Sequence, residues 1–180
     1  MQLPEAISLI QKGIVPHSSP QPWADLGAGK RLFSEALLTI LPPGSTIHSV
    51  DLYKQPNLQH HPSIIFHQAD FVKDKLPIPT LDGILMANSL HYVKEQVACI
   101  KQLKTHLRNG AGVFILIEYD TDRGNKWVPF PVSFASAQSI FGDAGFSKIE
   151  KIGERQSMYR RDSIYAALIS PPIFLLEHKP

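Results

Sequence analysis

Between Trp23 and Gly112, short apolar runs alternate with turns and with stretches whose apolar residues recur every three or four positions. Strand and helix periods alternating in this way predict a parallel sheet covered on both faces. The first strand is expected at Trp23 to Leu26, stopped by Gly27-Ala28-Gly29. Leu32, Phe33, Ala36, Leu37, Ile40 and Leu41 then share one face of a helix, which Pro42-Pro43-Gly44 ends. Thr46 to Val50 and Ser63 to Gln68 read as the second and third strands. The proline- and histidine-containing stretch between them predicts at most a degenerate, very short crossover helix. Leu81 to Ala87 is the fourth strand. After it, Val93, Val97, Ile100, Leu103 and Leu107 form the apolar stripe of a helix ending at Asn109-Gly110, with Cys99 at the stripe's edge in a packing role. The near-continuous apolar run Gly112 to Glu118 places a fifth strand at the buried centre of the sheet.

The chain then changes character. Phe134, Ala137, Ile140, Phe141 and Ala144 mark a helix closed by Gly145. Two strand-like runs follow, Ser147 to Ile152 and Ser163 to Ile169, joined by a turn containing Arg160-Arg161-Asp162. With no helix between them they must be antiparallel neighbours. The 180 residues suit one domain, 23–170, preceded by an N-terminal helix and linker, 1–22, and followed by a tail, 171–180. With 43% hydrophobic residues the chain can bury a core, and its 15 prolines predict much punctuated loop.

A formal charge of +2 predicts neither nucleic-acid nor anionic-membrane binding by long-range attraction. The longest dense apolar run, Val113 to Ile117, is far short of the roughly 20 residues that span a bilayer, and Glu5 sits where a signal peptide carries positive charge. One cysteine fits a reducing compartment, so a cytoplasmic location is expected.

The chemistry concentrates at Asp25-Leu26-Gly27-Ala28-Gly29, between the first strand and its helix. Two glycines let the backbone turn sharply and approach a ligand, and the helix start offers unpaired N–H groups. A GxxxxGK-Ser/Thr phosphate loop would need glycine at 24 and a hydroxyl at 31, where Ala24 and Arg31 stand. A GxGxxG dinucleotide fingerprint would need Gly or Ala at 32, where Leu32 stands. A carboxylate two residues before the first glycine repels a pyrophosphate but attracts an ammonium, so a ligand with a positively charged part is expected.

At these residues the chain resembles the class I S-adenosylmethionine-dependent methyltransferases, whose first motif is an acidic residue followed by a glycine-rich loop. The resemblance implies an α/β fold, a doubly wound Rossmann-like seven-stranded sheet, mostly parallel with a C-terminal antiparallel hairpin. It implies that Asp51, followed by Leu52, accepts the ribose hydroxyls, and that Asp70 meets the adenine amino group with Phe71 packed on the ring. It also implies that Asn88 and Ser89, after the fourth strand, approach the methyl donor. The cofactor would be S-adenosylmethionine and the product S-adenosylhomocysteine, held by these residues together with Asp25, Leu26, Gly27, Ala28 and Gly29. The similarity covers about Trp23 to Ile169, and it departs from the family at Arg31, a position often occupied by glycine. Taken singly, Asp51 or Asp70 is equally well read as a helix cap.

For the acceptor, His91 is the candidate base, since an imidazole titrates near neutrality; its plainer role is to shape the pocket. Tyr92 and Tyr119 are similarly placed. The loop after the fifth strand carries Arg123, suited to an anionic acceptor, and Trp127 and Phe130, suited to an apolar wall or a simple cover. The Asn-Pro-Pro-aromatic order used by many nucleic-acid and protein amino-methyltransferases is absent, which favours a small-molecule acceptor. His60, His61 and His67 lack helical spacing and a carboxylate cluster, so no metal site is expected. Lys148, Lys151, Arg155, Arg160 and Arg161 make the C-terminal hairpin locally basic, diluted by Glu150, Glu154 and Asp162. The alternatives are an NAD(P)-binding oxidoreductase and a catalytically inactive S-adenosylmethionine-binding interaction module.

Overall fold

A computed structural model describes residues 1–56, 58–109, 111–156 and 163–171. Helix α1 spans Leu3–Ile10, α2 Leu32–Ile40, α3 Gln96–Lys104 and α4 Phe134–Asp143. The strands are β1 Pro22–Leu26, β2 Thr46–Asp51, β3 Ile64–Gln68, β4 Gly83–Ala87, β5 Val113–Tyr119, β6 Lys148–Gln156 and β7 Ser163–Ser170. They form one seven-stranded sheet in the order β3-β2-β1-β4-β5-β7-β6. Pairing is parallel from β3 through β5, and β7 runs antiparallel to both β5 and β6. This is the doubly wound, Rossmann-like sheet with an antiparallel terminal pair. Because β1 lies between β2 and β4, the strand order reverses there, and in open α/β sheets the crevice at such a reversal receives ligands.

Alternation along each strand feeds two cores. Trp23, Ile47, Leu85, Ile115 and Ile117 pack with Phe33 and Leu37 of α2 and with Ala6, Leu9 and Ile10 of α1. On the opposite face, Leu26, Met86, Phe114 and Tyr165 pack with Ile100 and Leu103 of α3 and Phe141 of α4. Burying side chains of this size contributes roughly 1.5–3 kcal/mol each, which is what holds the sheet's middle together. β5 has buried residues from Phe114 through Glu118, as its apolar run predicts, and it pairs with a strand on each side. Cys99 is buried in the core beside Ile100, in a packing role. Lys104 of α3 donates to the carbonyls of Ala144 and Gly145 at 3.2 and 2.9 Å, placing a cation at the C-terminus of α4.

The connections differ from expectation. No helix links β2 to β3 among the described residues, not even a short one, and none links β3 to β4, where residues 71–73 form only a turn. Pro56, Pro62, Pro77 and Pro79 remove backbone donors and restrict the residues before them, which disfavours a helix in either stretch. α3 is also shorter than its apolar stripe. Val93 closes a 3-10 turn at Leu90–Tyr92, while Leu107 leaves the helix to bridge Leu81, so β4 begins at Gly83 instead of Leu81. β6 extends past Ile152 through a bulge between Lys151 and Gly153. Gly153 is required there, since a Cβ would meet the Leu9 carbonyl oxygen of α1 at 2.5 Å. The turn residues Arg160, Arg161 and Asp162, Gly110, and the tail beyond residue 171 lie outside the described residues.

Candidate functional site

The strand ends on both sides of the reversal point are tied to each other. The N–H groups of Gly27 and Ala28 donate to the Val50 carbonyl at 2.9 and 3.1 Å, so the glycine loop folds against the end of β2. Gly27 has φ 75, and a Cβ there would come within 2.5 Å of the Ser89 Cβ. The Ser89 hydroxyl in turn donates to the Leu26 carbonyl at 2.7 Å, stitching the ends of β1 and β4. Asp51 accepts from the Gly29 N–H at 2.8 Å with one carboxylate oxygen and from the Tyr53 N–H at 2.9 Å with the other. Asp70 accepts from the Val72 N–H at 2.9 Å and pairs with Lys73 at 3.3 Å. Both aspartates therefore act as turn caps, and both also face a common cavity.

That cavity encloses about 390 Å³ at the carboxyl ends of the parallel strands. Gly27, Asp51, Asp70, Phe71, Asn88 and Ser89 line it, with Leu52 and Tyr92 among its walls. Asn88 adopts φ 52 and leaves its side-chain oxygen buried without a hydrogen-bond partner among the described residues. A buried acceptor left unpaired costs about 1–3 kcal/mol, so this atom is an unmet demand for a donor at the cavity wall. Tyr53, Val72, Lys73, Val93 and Lys94 complete the lining and were not anticipated. Tyr53, Val72 and Val93 directly follow the site residues Leu52, Phe71 and Tyr92 singled out from the sequence, and that adjacency is their sequence signal as lining residues.

Other expected residues lie elsewhere. Leu26 is core, and Ala28 and Gly29 shape the loop without lining the cavity. Asp25 was expected to attract a ligand's ammonium with its side chain. Instead its carboxylate is 1% exposed and accepts from the Ser34 hydroxyl of α2 at 2.6 Å. The reason is alternation: Asp25 shares a strand face with Trp23, towards α2, while Ala24 and Leu26 face the other core. Burial pushes its pKa up to about 6, against the opposing pull of Ser34's hydroxyl and N–H, and the charge of Asp51 adds to the rise.

His91 is buried beneath Tyr92, and the two rings are 4.3 Å apart. Its Nδ1 lies 2.6 Å from an oxygen of Glu118, and its backbone N–H donates to the other oxygen at 3.2 Å. Glu118 is itself 1% exposed at the end of β5. Its partnership with His91 was missed, although a carboxylate ending an otherwise apolar central strand was a readable signal. The imidazole does not line the cavity.

Tyr119 ends β5, also off the lining. The loop at 120–132 is pinned: the Phe130 N–H donates to the His91 carbonyl at 3.0 Å, and the Phe134 N–H donates to Asp120 at 2.9 Å. Val128 is buried, whereas Arg123 is exposed and Trp127 is 65% exposed with Lys126 4.8 Å above its ring. Neither Arg123 nor Trp127 reaches the cavity wall. His67 faces His48, ring nitrogens 2.9 Å apart, while His61 takes the Ser63 N–H. Among the described residues no cluster of three potential ligands could hold a metal ion, and no helix is long and apolar enough to cross a membrane.

No family model and no curated protein matches the chain. Solved structures do. The chain is similar to Burkholderia thailandensis 1,6-didemethyltoxoflavin-N1-methyltransferase, solved with bound 1,6-didemethyltoxoflavin and S-adenosylhomocysteine: TM-score 0.69, 14% identity, covering 94% of this chain and 78% of that one. It is similar to a SAM-dependent methyltransferase from Aquifex aeolicus, with TM-score 0.61 and 17% identity over 84% of each chain. It is also similar to the citrinin polyketide synthase CMeT domain, with TM-score 0.63 and 15% identity over 86% of this chain, and it spans only 48% of that chain's length. The fold is that of the class I S-adenosylmethionine-dependent methyltransferases.

Proposed function

We propose that the chain binds S-adenosylmethionine in the cavity at the ends of β1 to β4 and transfers its methyl group to a small molecule. The observation that carries this reading is the convergence of Gly27, Asp51, Asp70, Phe71 and Asn88, from four strand ends, on one cavity. The residues fit the cofactor. Gly27 brings bare backbone to the cavity wall, the Asn88 oxygen lacks a donor among the described residues, and Asp51 and Asp70 keep acceptor capacity beyond their backbone bonds. Asp51 would take the ribose hydroxyls and Asp70 the adenine amino group against Phe71, while Asn88 and the glycine loop would hold the amino-acid part. When bound, the cofactor supplies a methyl group already activated on a sulfonium. The chain's own task is then alignment and exclusion of water.

If the acceptor must lose a proton and the Tyr92 ring turns aside to admit it, the His91 imidazole behind that ring is the group to take it. Glu118 holds Nδ1, which leaves Nε2 as the basic nitrogen and makes Glu118 a positioning residue. With an acceptor identified, His91→Ala is expected to lower kcat by about 100-fold or more. Glu118→Gln is expected to lower kcat less, with S-adenosylhomocysteine affinity little changed in both. A kcat that both variants leave unchanged would assign the pair to structure alone.

A nicotinamide oxidoreductase is disfavoured, because the sheet ends in an antiparallel β7-β6 pair where the dinucleotide-binding fold continues with parallel strands. Calorimetry with S-adenosylhomocysteine and with NAD decides the matter. Binding of the former alone is expected, and tight NAD binding without a response to S-adenosylhomocysteine would sink the reading. Asp51→Ala should weaken S-adenosylhomocysteine about 100-fold, roughly 2.7 kcal/mol, since it removes the ribose acceptor and releases the Gly29 N–H together. Unchanged affinity would leave Asp51 as a turn cap only.

A further inference from the structure

Arg31 is the chain's departure from the glycine-rich pattern, and it occupies an unusual place. The residue is only 7% exposed and sits in the left-handed region at φ 63, as the N-cap of α2. One terminal nitrogen donates to the Gln59 carbonyl at 2.7 Å, but Nε is buried with no partner among the described residues. Among the described residues the guanidinium forms no ion pair. Buried charges are ordinarily paired, and the positive end of the α2 dipole beside this one adds to its cost.

The same guanidinium lines a second cavity, of about 690 Å³, that shares no lining residue with the first. Lys54, Gln55, Gln59 and His60 line it too, among apolar residues such as Ile64 and Phe66, and no Asp or Glu does so among the described residues. Two cations and neutral polar residues, with no carboxylate among the described residues, make a wall suited to an anion. A planar guanidinium with a spare N–H suits tetrahedral oxyanions, and the volume exceeds what a bare ion needs.

We propose that this cavity, beside the glycine loop on the β2–β3 side, binds a phosphate group carried by a small molecule. The charge of Arg31 is completed by the ligand instead of by a protein carboxylate. The site stands independently of methyl transfer, since the two cavities have no wall in common.

Melting curves and calorimetry of the full chain, with inorganic phosphate, ribose 5-phosphate and sodium chloride at matched ionic strength, test the proposal. Both phosphates are expected to raise Tm by roughly 3–5 °C at about ten times their Kd, and chloride is not. Tighter binding of ribose 5-phosphate identifies an organic phosphate as the ligand, and equal affinities identify the free ion. Arg31→Gly keeps the backbone content at φ 63, so the variant is expected to fold, to lose at least tenfold in phosphate affinity and to retain its response to S-adenosylhomocysteine. Lys54→Ala, at an exposed position, should weaken phosphate about threefold. A chloride shift equal to that of phosphate, or a phosphate shift undiminished in Arg31→Gly, would overturn the proposal. Failure of S-adenosylhomocysteine alone would count against the methyltransferase reading and leave this one standing.

Discussion

Gly27→Ala is expected to destabilise the protein by about 2–5 kcal/mol and to abolish S-adenosylhomocysteine binding at any concentration short of millimolar. Two independent costs add. The backbone at φ 75 disfavours any L side chain, worth roughly 1–2 kcal/mol. A methyl group there would also stand 2.5 Å from the Ser89 Cβ, and overpacking of that kind costs about 1–3 kcal/mol. Ser89 has little freedom to retreat, since its hydroxyl is bound to the Leu26 carbonyl. The two strand ends must therefore move apart, opening the junction on which the cavity is built. Urea denaturation gives the first quantity and calorimetry the second. Near wild-type values for both would mean that the β1–β4 junction is far more pliable than its packing implies.

Asp25→Asn should act in the opposite direction, stabilising the protein above neutrality by about 3 kcal/mol. Asp25 has its pKa raised from 3.8 to about 6 by burial, so the folded state holds the proton more tightly than the unfolded chain does. For a group raised in this way, the stability is fully present below about pH 4. It is lost as the pH climbs through about 6, and is flat beyond that. Asparagine removes the charge while its amide oxygen still accepts from Ser34. The gain over wild type should therefore be near zero at pH 4 and reach its full size by pH 8. Denaturation series at pH 4, 6 and 8 measure it directly, and a gain independent of pH would show that Asp25 is not the titrating group.

What was legible in the sequence was whatever a turn forces on its residues. Gly27, Asp51, Asp70 and Asn88 stand at strand ends or within two residues past them, where the backbone needs glycine, a capping carboxylate or a residue tolerant of positive φ, and those same positions surround the crevice. Long apolar runs were equally readable, so β5 and β7 came out close to their observed bounds, whereas the polar β6 runs on to Gln156, past its expected end at Ile152. Side-chain direction was harder. Asp25 was judged by its closeness to the glycines, although counting back by two to Trp23 puts it on the α2 face. The pairing of His91 with Glu118 spans 27 positions and depends on β4 and β5 being neighbours. No local pattern carries that information. Arg31 was noticed as a departure, yet its burial and missing counter-ion are properties of the folded surroundings alone.

The helix-free connections on either side of β3 divide the cavity into halves of unequal rigidity. Gly27, Asn88 and Ser89 hang from β1 and β4, each clasped between two strands and covered by packed helices. Asp70 and Phe71 hang from a five-residue margin strand that pairs with β2 alone. Amide protection in such a fold declines from the centre to the margin, because local opening there breaks fewer contacts. The donor end of a bound nucleoside would thus meet a fixed template, while its base end would meet a segment that gains order on contact. Part of the binding free energy would then be spent on tightening β3, so affinity and the stability of that margin would rise and fall together.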